Sequence, residues 1–503
     1  MNHHSVFFKH NSTLSFILFF GGVEMAGKQW YGYTRYQWFT FVVCYGIFFF
    51  FGGIEASESI YYSLMKLELE IPYKVQGWLT SMSSYSFIVT SPIVGYLMTY
   101  VDVKPILVAS FACYFIAYVV LYNTTAVWAI CISLFIEGMG GVLLDVGVNT
   151  LSTVIFSHHR GVMMNILHFF YGLGSSIGPI YSSAVYSWLH QGYKGIFLGL
   201  FIPVVIGEIF TIITRLSIHQ KEEGGAEVEV RDKPVIELSL PEKGVEISQK
   251  LKDDRERKQA EDGNDEKNSQ TVVVSISEEK PEVIKKMREE QDVQQQLQQQ
   301  PQQQTEEEEI TFWKSFINPM VGLLSLNMGA VYAIESITVY WAPLYLQEMF
   351  GMQPDVEGSR FISLFYIFYT IARLMTGFII DWLGDAVSMI VFNGILLGWY
   401  VIGFSLGRKG VWLLAFSGFI ISPFYPTAIT LPMEVFGKSA KNTISVILCY
   451  ALIVNAVVQV LMGYVNQYMG PQWGYPLMAI AMSVLMILCM MCILCWLKQH
   501  SRK

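Results

Sequence analysis

Residues 138–179 read GMGGVLLDVGVNTLSTVIFSHHRGVMMNILHFFYGLGSSIGP. Two apolar segments flank a short basic hairpin, and each carries groups that hydrocarbon normally excludes. Asp145 and Asn149 lie one helical turn apart in the first, and Asn165 and His168 lie about a turn apart in the second. A carboxylate at mid-bilayer costs several kcal/mol unless it is paired, protonated or facing water, so such residues mark a solute or proton path.

The remaining sequence gives these segments a membrane setting. The 503 residues are 53% hydrophobic and 15% aromatic, and the mean hydropathy is +0.40. Repeated apolar runs of about 20 residues indicate a polytopic membrane protein. Because hydrocarbon leaves no backbone polar group unpaired, the spans are expected to be helices. Twelve are expected, near 38–64, 76–100, 105–122, 127–156, 162–188 and 195–217, then 316–347, 359–381, 387–406, 411–433, 442–467 and 475–497. The fold class is therefore an all-α polytopic membrane protein with twelve transmembrane helices in two six-helix lobes.

The expected organisation is a cytoplasmic N-terminal segment (1–37), an N-terminal lobe (38–219), a loop (220–310), a C-terminal lobe (311–497) and a cytoplasmic tail (498–503). Met1 and Met25 are both candidate starts. The net charge of −8 belongs to the loop. Residues 221–310 hold 14 basic and 25 acidic residues, a net of −11, which leaves 19 basic against 16 acidic elsewhere. The loop is rich in Glu, Lys and Gln, poor in aromatics, and contains the tract Gln294–Gln304, so it is read as disordered. Lys and Arg counts place both termini and this loop in the cytoplasm. The Asn123-Thr124-Thr125 sequon then lies outside. The seven cysteines fall within expected spans and read as packing residues, Cys489, Cys492 and Cys495 included, so no metal and no cofactor is expected.

Other intramembrane polar groups extend the site. Glu335 is near the middle of the seventh span, with Asn327 two turns earlier and Trp341 beyond it. Asn455 and Gln459 form an i, i+4 amide pair that serves either as helix–helix glue or as a solute contact. Glu55 and Glu58 share a face of the first span and either line a cavity or reach outside water. Trp341, Trp78 and Tyr85 are candidate stacking platforms. Rings with amides and carboxylates suit a sugar or polyol.

Six spans, a long polar loop and six more is the layout of two-lobed secondary carriers. Corresponding positions in the halves read Gly95-Tyr-Leu-Met-Thr-Tyr-Val-Asp102 and Gly377-Phe-Ile-Ile-Asp381-Trp-Leu-Gly384-Asp385. The second resembles the Gly-x-x-x-Asp-x-x-Gly signature of the major facilitator superfamily, a cytoplasmic gate latch in that family. Gly377 and Asp381 are therefore gating candidates, with Arg373 the nearest intramembrane cation. In the first copy Thr99 replaces the Asp.

Within that superfamily, Asp145-Val-Gly-Val-Asn149 followed by Asn165-Ile-Leu-His168-Phe-Phe-Tyr-Gly172-Leu-Gly174-Ser-Ser-Ile-Gly178-Pro179 resembles the fucose:proton symporter family. The segment holding Glu335, Trp341, Tyr345-Leu346 and Arg373 to Asp381 is similar to those carriers and their eukaryotic glucose-transporter-like relatives. The resemblance implies a central site between the lobes, with Asp145 at the place of a carboxylate that takes part in proton coupling and sugar binding. The family also uses a first-span Asp, for which the region of Glu58-Ser59 gives no clean match.

The expected function is secondary transport of a small polar solute, foremost a monosaccharide, by proton-coupled symport. The expected solute and coupling residues are Asp145, Asn149, Asn165, His168, Glu335, Trp341, Asn455 and Gln459. The alternatives are an uncoupled or sodium-coupled facilitator, and a nutrient sensor signalling to a cytoplasmic partner through residues 220–310. A carboxylate carrier would want a central cation, for which Arg373 is the deep candidate. No nucleophile, base and orienter group together, so no enzyme is expected. The expected partners are the solute, a proton or sodium ion and membrane lipid, with no nucleic acid. The default location is the plasma membrane.

Overall fold

The computed structural model describes residues 33, 35–156, 160–214, 216 and 312–500. The expectations for the N-terminal segment before residue 33, for the hairpin residues 157–159, for the loop within 220–310 and for residues 501–503 lie outside these. The first lobe contains α1 (Arg35–Glu68), α2 (Tyr73–Leu97), α3 (Val103–Asn123), α4 (Val127–Ile155), α5 (Arg160–Leu189) and α6 (Tyr193–Ile213). The second contains α7 (Pro319–Phe350), α8 (Ser359–Leu383), α9 (Asp385–Ser405), a broken tenth span α10, then α11 (Ala440–Met469) and α12 (Pro471–His500). Three pieces make up α10: Val411–Ala415, Ser417–Ile421 and Phe424–Phe436. Among the described residues the architecture is all-α, with twelve spans.

Local chemistry sets several boundaries. The Asn318 side chain caps α7 by accepting from the Met320 amide at 2.9 Å, and Pro319 occupies the first turn, where no amide donor is needed. Gly351 ends α7 in the left-handed region at φ 65°, with its amide donating to the Gln347 carbonyl at 2.9 Å. Pro423 precedes the last piece of α10, where a proline cannot donate to the helix it follows.

Ten of the described helices are long and apolar enough to cross a membrane by length and composition. α2 and α5 fall outside that set because Ser, Thr, Gly and Gln dilute their apolar content. α2 buries Gln76, Thr80, Ser81, Ser84, Ser86 and Thr90, and α5 buries Ser175, Ser176 and Ser182. Small residues let helix backbones approach where no hydrophobic effect drives association. Gly174 and Gly178 of α5 lie against the Phe49 and Gly53 carbonyls of α1. The Ser57 hydroxyl donates to the Gly53 carbonyl at 2.6 Å within the same contact.

Close contacts between lobes cluster toward the end that carries the α1–α2 turn. The Tyr73 hydroxyl donates to Glu348 Oε1 at 2.6 Å. Lys66 Nζ lies 3.9 Å from the same oxygen and 4.0 Å from the Tyr73 ring centre. Tyr62 meets Tyr340 edge-on at 5.4 Å between centroids. Beneath these, α2 crosses α11 at glycines: a Cβ on Gly77 would lie 2.8 Å from the Gln459 carbonyl oxygen and 3.1 Å from Gly463 Cα. At the opposite end, a Cβ on Gly95 or Gly377 would meet nothing within 4 Å, and Asp381 is exposed. The lobes are thus closed against each other at the α1–α2 end, while the signature glycines make no close helix contact in this conformation.

The Gly77–Gly463 crossing leaves backbone with no room to yield. A leucine there carries an overpacking cost of about 1–3 kcal/mol in the closed arrangement, enough to shift a two-state balance about tenfold. In a background lacking native cysteines, Tyr340→Cys is expected to be shielded from a membrane-impermeant thiol reagent. Adding Gly77→Leu is expected to speed labelling about tenfold. Unchanged labelling would show that this crossing does not hold the end closed.

Candidate functional site

Between the lobes lies a cavity of about 270 Å³, lined from both halves of the chain. Five acidic side chains reach it: Glu55 and Glu58 from α1, Glu137 and Asp145 from α4, and Glu335 from α7. Arg373 and His168 are the basic groups in its lining. The walls between them are largely aromatic, with Tyr114, Tyr171, Tyr340, Tyr366 and Tyr425 among the rings.

Each carboxylate is placed by helix periodicity and met by a local donor. On α4, i, i+4 spacing brings the Asn149 amide to Asp145, and Nδ2 donates to Oδ1 at 2.8 Å. From α5, the Tyr171 hydroxyl donates to Glu55 Oε2 at 2.5 Å. Glu137 accepts from two tyrosines, Tyr61 at 2.9 Å and Tyr118 at 3.0 Å. Across the cavity, Tyr369 donates to Glu335 Oε2 at 3.2 Å and accepts from Arg373 Nη2 at 2.9 Å. The Arg373 guanidinium also covers the Tyr369 ring at 4.7 Å. Hydrogen bonding of this kind offsets the cost of removing a carboxylate from water, and charge-assisted bonds are the strong ones. Glu58 is 6% exposed; the Tyr62 and Tyr340 side chains hydrogen-bond its carboxyl, while its Oε2 has no partner.

A second polar array runs from the interior of the C-terminal lobe to the N-terminal lobe. Trp341 Nε1 donates to Gln459 Oε1 at 2.7 Å. Gln459 Nε2 donates to the Ser336 hydroxyl at 2.7 Å, and that hydroxyl donates to Asn455 Oδ1 at 2.7 Å. Asn455 Nδ2 then donates to Ser84 Oγ on α2 at 3.0 Å. The chain joins α7, α11 and α2, and its final bond crosses the lobe interface.

Of the expected solute and coupling residues, the structure brings Asp145, Asn149, His168, Glu335 and Asn455 into the cavity lining, together with the gate candidate Arg373. Trp341 and Gln459 are buried behind it and reach it through Ser336. Asn165 is exposed, away from the lining. His168 packs edge-on against Phe48 at 5.8 Å. Trp78 is 44% exposed and stacks on Tyr85 rather than on the cavity. Gly377 and Asp381 lie beyond it, at the end where the lobes part.

Sequence reasoning omitted Glu137 and the ring of tyrosines. Glu137 had the same signal as Asp145, a carboxylate inside an apolar run. The tyrosines had none, because the chain has 28 of them and most spans carry some.

Two lobes of membrane-spanning helices around a closed-ended polar cavity are the architecture of a membrane transporter. The chain belongs to the Major Facilitator Superfamily, whose family model matches residues 38–448. It is accordingly an integral multi-pass membrane protein and a transporter, not an enzyme. Comparison with curated protein sequences found no match. Among solved structures, it is similar to a D-xylose-proton symporter at 14% identity and TM-score 0.59, covering 90% of this chain and 97% of that one. It is also similar to the nucleoside transporter NupG at 12% identity and TM-score 0.58, covering 92% and 99%. A bacterial homologue of the human drug peptide transporters matches at 12% identity and TM-score 0.61, covering 93% and 99%. At these identities the likeness is one of fold.

The buried amide array carries a stability consequence. Removing Gln459 leaves the Trp341 indole donor and the Ser336 hydroxyl short of partners, at about 1–3 kcal/mol for an orphaned buried polar group. Gln459→Leu is expected to lower the midpoint of thermal unfolding in detergent by several degrees, and Gln459→Glu by less. An unchanged midpoint for Gln459→Leu would show that the array contributes nothing to stability.

Proposed function

We propose that this protein is a proton-coupled symporter of a small polar organic solute, of monosaccharide size, acting by alternating access. The observation that carries the reading is the cavity itself: small, central, closed toward the α1–α2 end, and walled by aromatic rings with carboxylates and amides among them. Its volume of about 270 Å³ sits just under the usual range of about 300–1,000 Å³ for small-molecule pockets. A pyranose offers an apolar face to rings and hydroxyls to amides and carboxylates, which is what this lining supplies. The resemblance of the Asp145 and His168 motifs to the fucose:proton symporters agrees with the same reading, and so does the fold shared with a D-xylose-proton symporter.

Asp145 is the coupling residue in this proposal. It faces the cavity with one donor, Asn149, committed to it. Closing the lobes around a bare carboxylate would bury an uncompensated charge. Protonation removes that charge, so the loaded site closes with its proton and the solute together. Gly377 and Asp381 are proposed as part of the gate at the end where the lobes part, which the Lys and Arg distribution assigns to the cytoplasm.

Uptake of labelled monosaccharides into proteoliposomes tests the reading. With an inward gradient of about one pH unit, one-to-one coupling gives up to about tenfold accumulation. Asp145→Asn is expected to retain exchange but bring the accumulation ratio to about one. Undiminished concentrative uptake by Asp145→Asn would overturn its coupling role.

A further inference from the structure

Among the groups in the cavity lining, Arg373 alone carries a charge that proton exchange does not remove. The crossing of α5 and α8 places it. Gly172 of α5 lies against the Thr370 hydroxyl of α8, with no room there for a Cβ. Arg373 follows Thr370 by one helical turn, and His168 precedes Gly172 by one turn. The two spans run in opposite directions, so Arg373 and His168 come to the same side of the crossing, where both line the cavity. The partners of Arg373 are incomplete. Its Nη2 donates to the Tyr369 hydroxyl at 2.9 Å, and the guanidinium covers that ring. A guanidinium only donates, so the tyrosine accepts from it and sends its own proton to Glu335 Oε2 at 3.2 Å. Glu335 therefore stands one phenol away. Among the described residues no carboxylate oxygen lies within 4.0 Å of the Arg373 nitrogens. Its Nε is buried and has no acceptor.

The acids of the lining are committed elsewhere: Asp145 to Asn149, Glu55 to Tyr171, and Glu137 to Tyr61 and Tyr118. A carboxyl group withdrawn from water can also shed its charge by taking up a proton, which a guanidinium cannot do. With the acids protonated and His168 neutral, the cavity keeps one positive charge. Enclosing that charge without a counter-ion is costly. A neutral hexose offers it hydroxyl acceptors and no charge. A carboxylate offers both, and its two oxygens match the planar guanidinium through parallel bonds.

We infer that Arg373 binds a carboxylate on the transported solute, which makes the solute class a sugar acid. This assignment rests on the cavity being the solute site of the function proposed above. It adds a specificity determinant on α8, apart from the coupling residue Asp145 on α4. The two roles fit together: with a proton on Asp145 and the solute carboxylate on Arg373, the loaded site closes without a bare charge at either residue.

The test is thermal-shift titration of the purified full chain with D-glucuronate, its neutral amide D-glucuronamide, D-glucose and L-lactate, at neutral pH. D-glucuronate is expected to half-saturate at a concentration about tenfold lower than D-glucuronamide or D-glucose, the gain from one charge-assisted contact. Arg373→Gln is expected to erase that ratio, and Arg373→Lys, which keeps the charge without the planar fork, to preserve part of it. The comparison of acid with amide on the unaltered chain depends on no variant folding. Equal half-saturation by D-glucuronate and D-glucuronamide would overturn the carboxylate assignment and leave a sugar site standing. A preference for D-glucuronate that survives Arg373→Gln would overturn the role of Arg373. A response to L-lactate alone, lost in Arg373→Gln, would support the anion site and refute the carbohydrate reading. A response to D-glucose with none to either carboxylate would refute the anion site alone, and no response to any of the four would refute both.

Discussion

Everything in the centre of this molecule depends on holding carboxylates in a place that water largely leaves. A bare carboxylate in low dielectric is expensive, and the structure meets the cost with hydroxyl and amide donors in place of ion pairs. Tyr171 donates to Glu55, Tyr61 and Tyr118 to Glu137, and Tyr369 to Glu335. A tyrosine is suited to this role: its ring packs in apolar surroundings while its hydroxyl satisfies a buried acceptor. A neutral donor also leaves the acid free to exchange a proton without stranding a cation. A lysine in the same place would need a counter-charge in every state of the transport cycle.

The same economy governs the contact between lobes. Alternating access needs interfaces strong enough to close and weak enough to part. At the closed end the structure uses glycine backbones in contact, one ring pair and the cluster of Tyr73, Lys66 and Glu348. None of these is a large apolar seal. The Ser84–Asn455 bond ties the closed end to the cavity through neutral groups. Breaking this bond strands no charge, and the freed amide and hydroxyl can turn to water or solute.

Much of the fold was legible in the sequence, because apolar length is a strong signal and the hydrocarbon constraint leaves helices as the answer. Even α2 and α5 were located, although Ser, Thr and Gly dilute their apolar character. Those residues are diluted for a reason that only packing shows, since both helices run along lobe interfaces. The candidate site was legible in part. Asp145, Asn149, His168, Glu335 and Asn455 stood out as polar groups in apolar surroundings, and they line one cavity. Asn165 carried the same signal and shares a helix face with His168, but it lies a turn nearer the start of α5, where it is exposed. Trp341 was read as a platform but is buried in an amide array. The tyrosines could not be told from structural ones, since their role depends on which acid each hydroxyl reaches.

The central claim is that this cavity carries a monosaccharide-sized solute across the bilayer, and counterflow tests it most directly because it needs no ion gradient. Proteoliposomes loaded with unlabelled monosaccharide are diluted into a trace of the labelled sugar. A carrier that shuttles one site between two faces gives a transient overshoot of label inside, above its external concentration, for at least one monosaccharide. A flat trace for every sugar, from protein shown to be folded and inserted, would contradict the account.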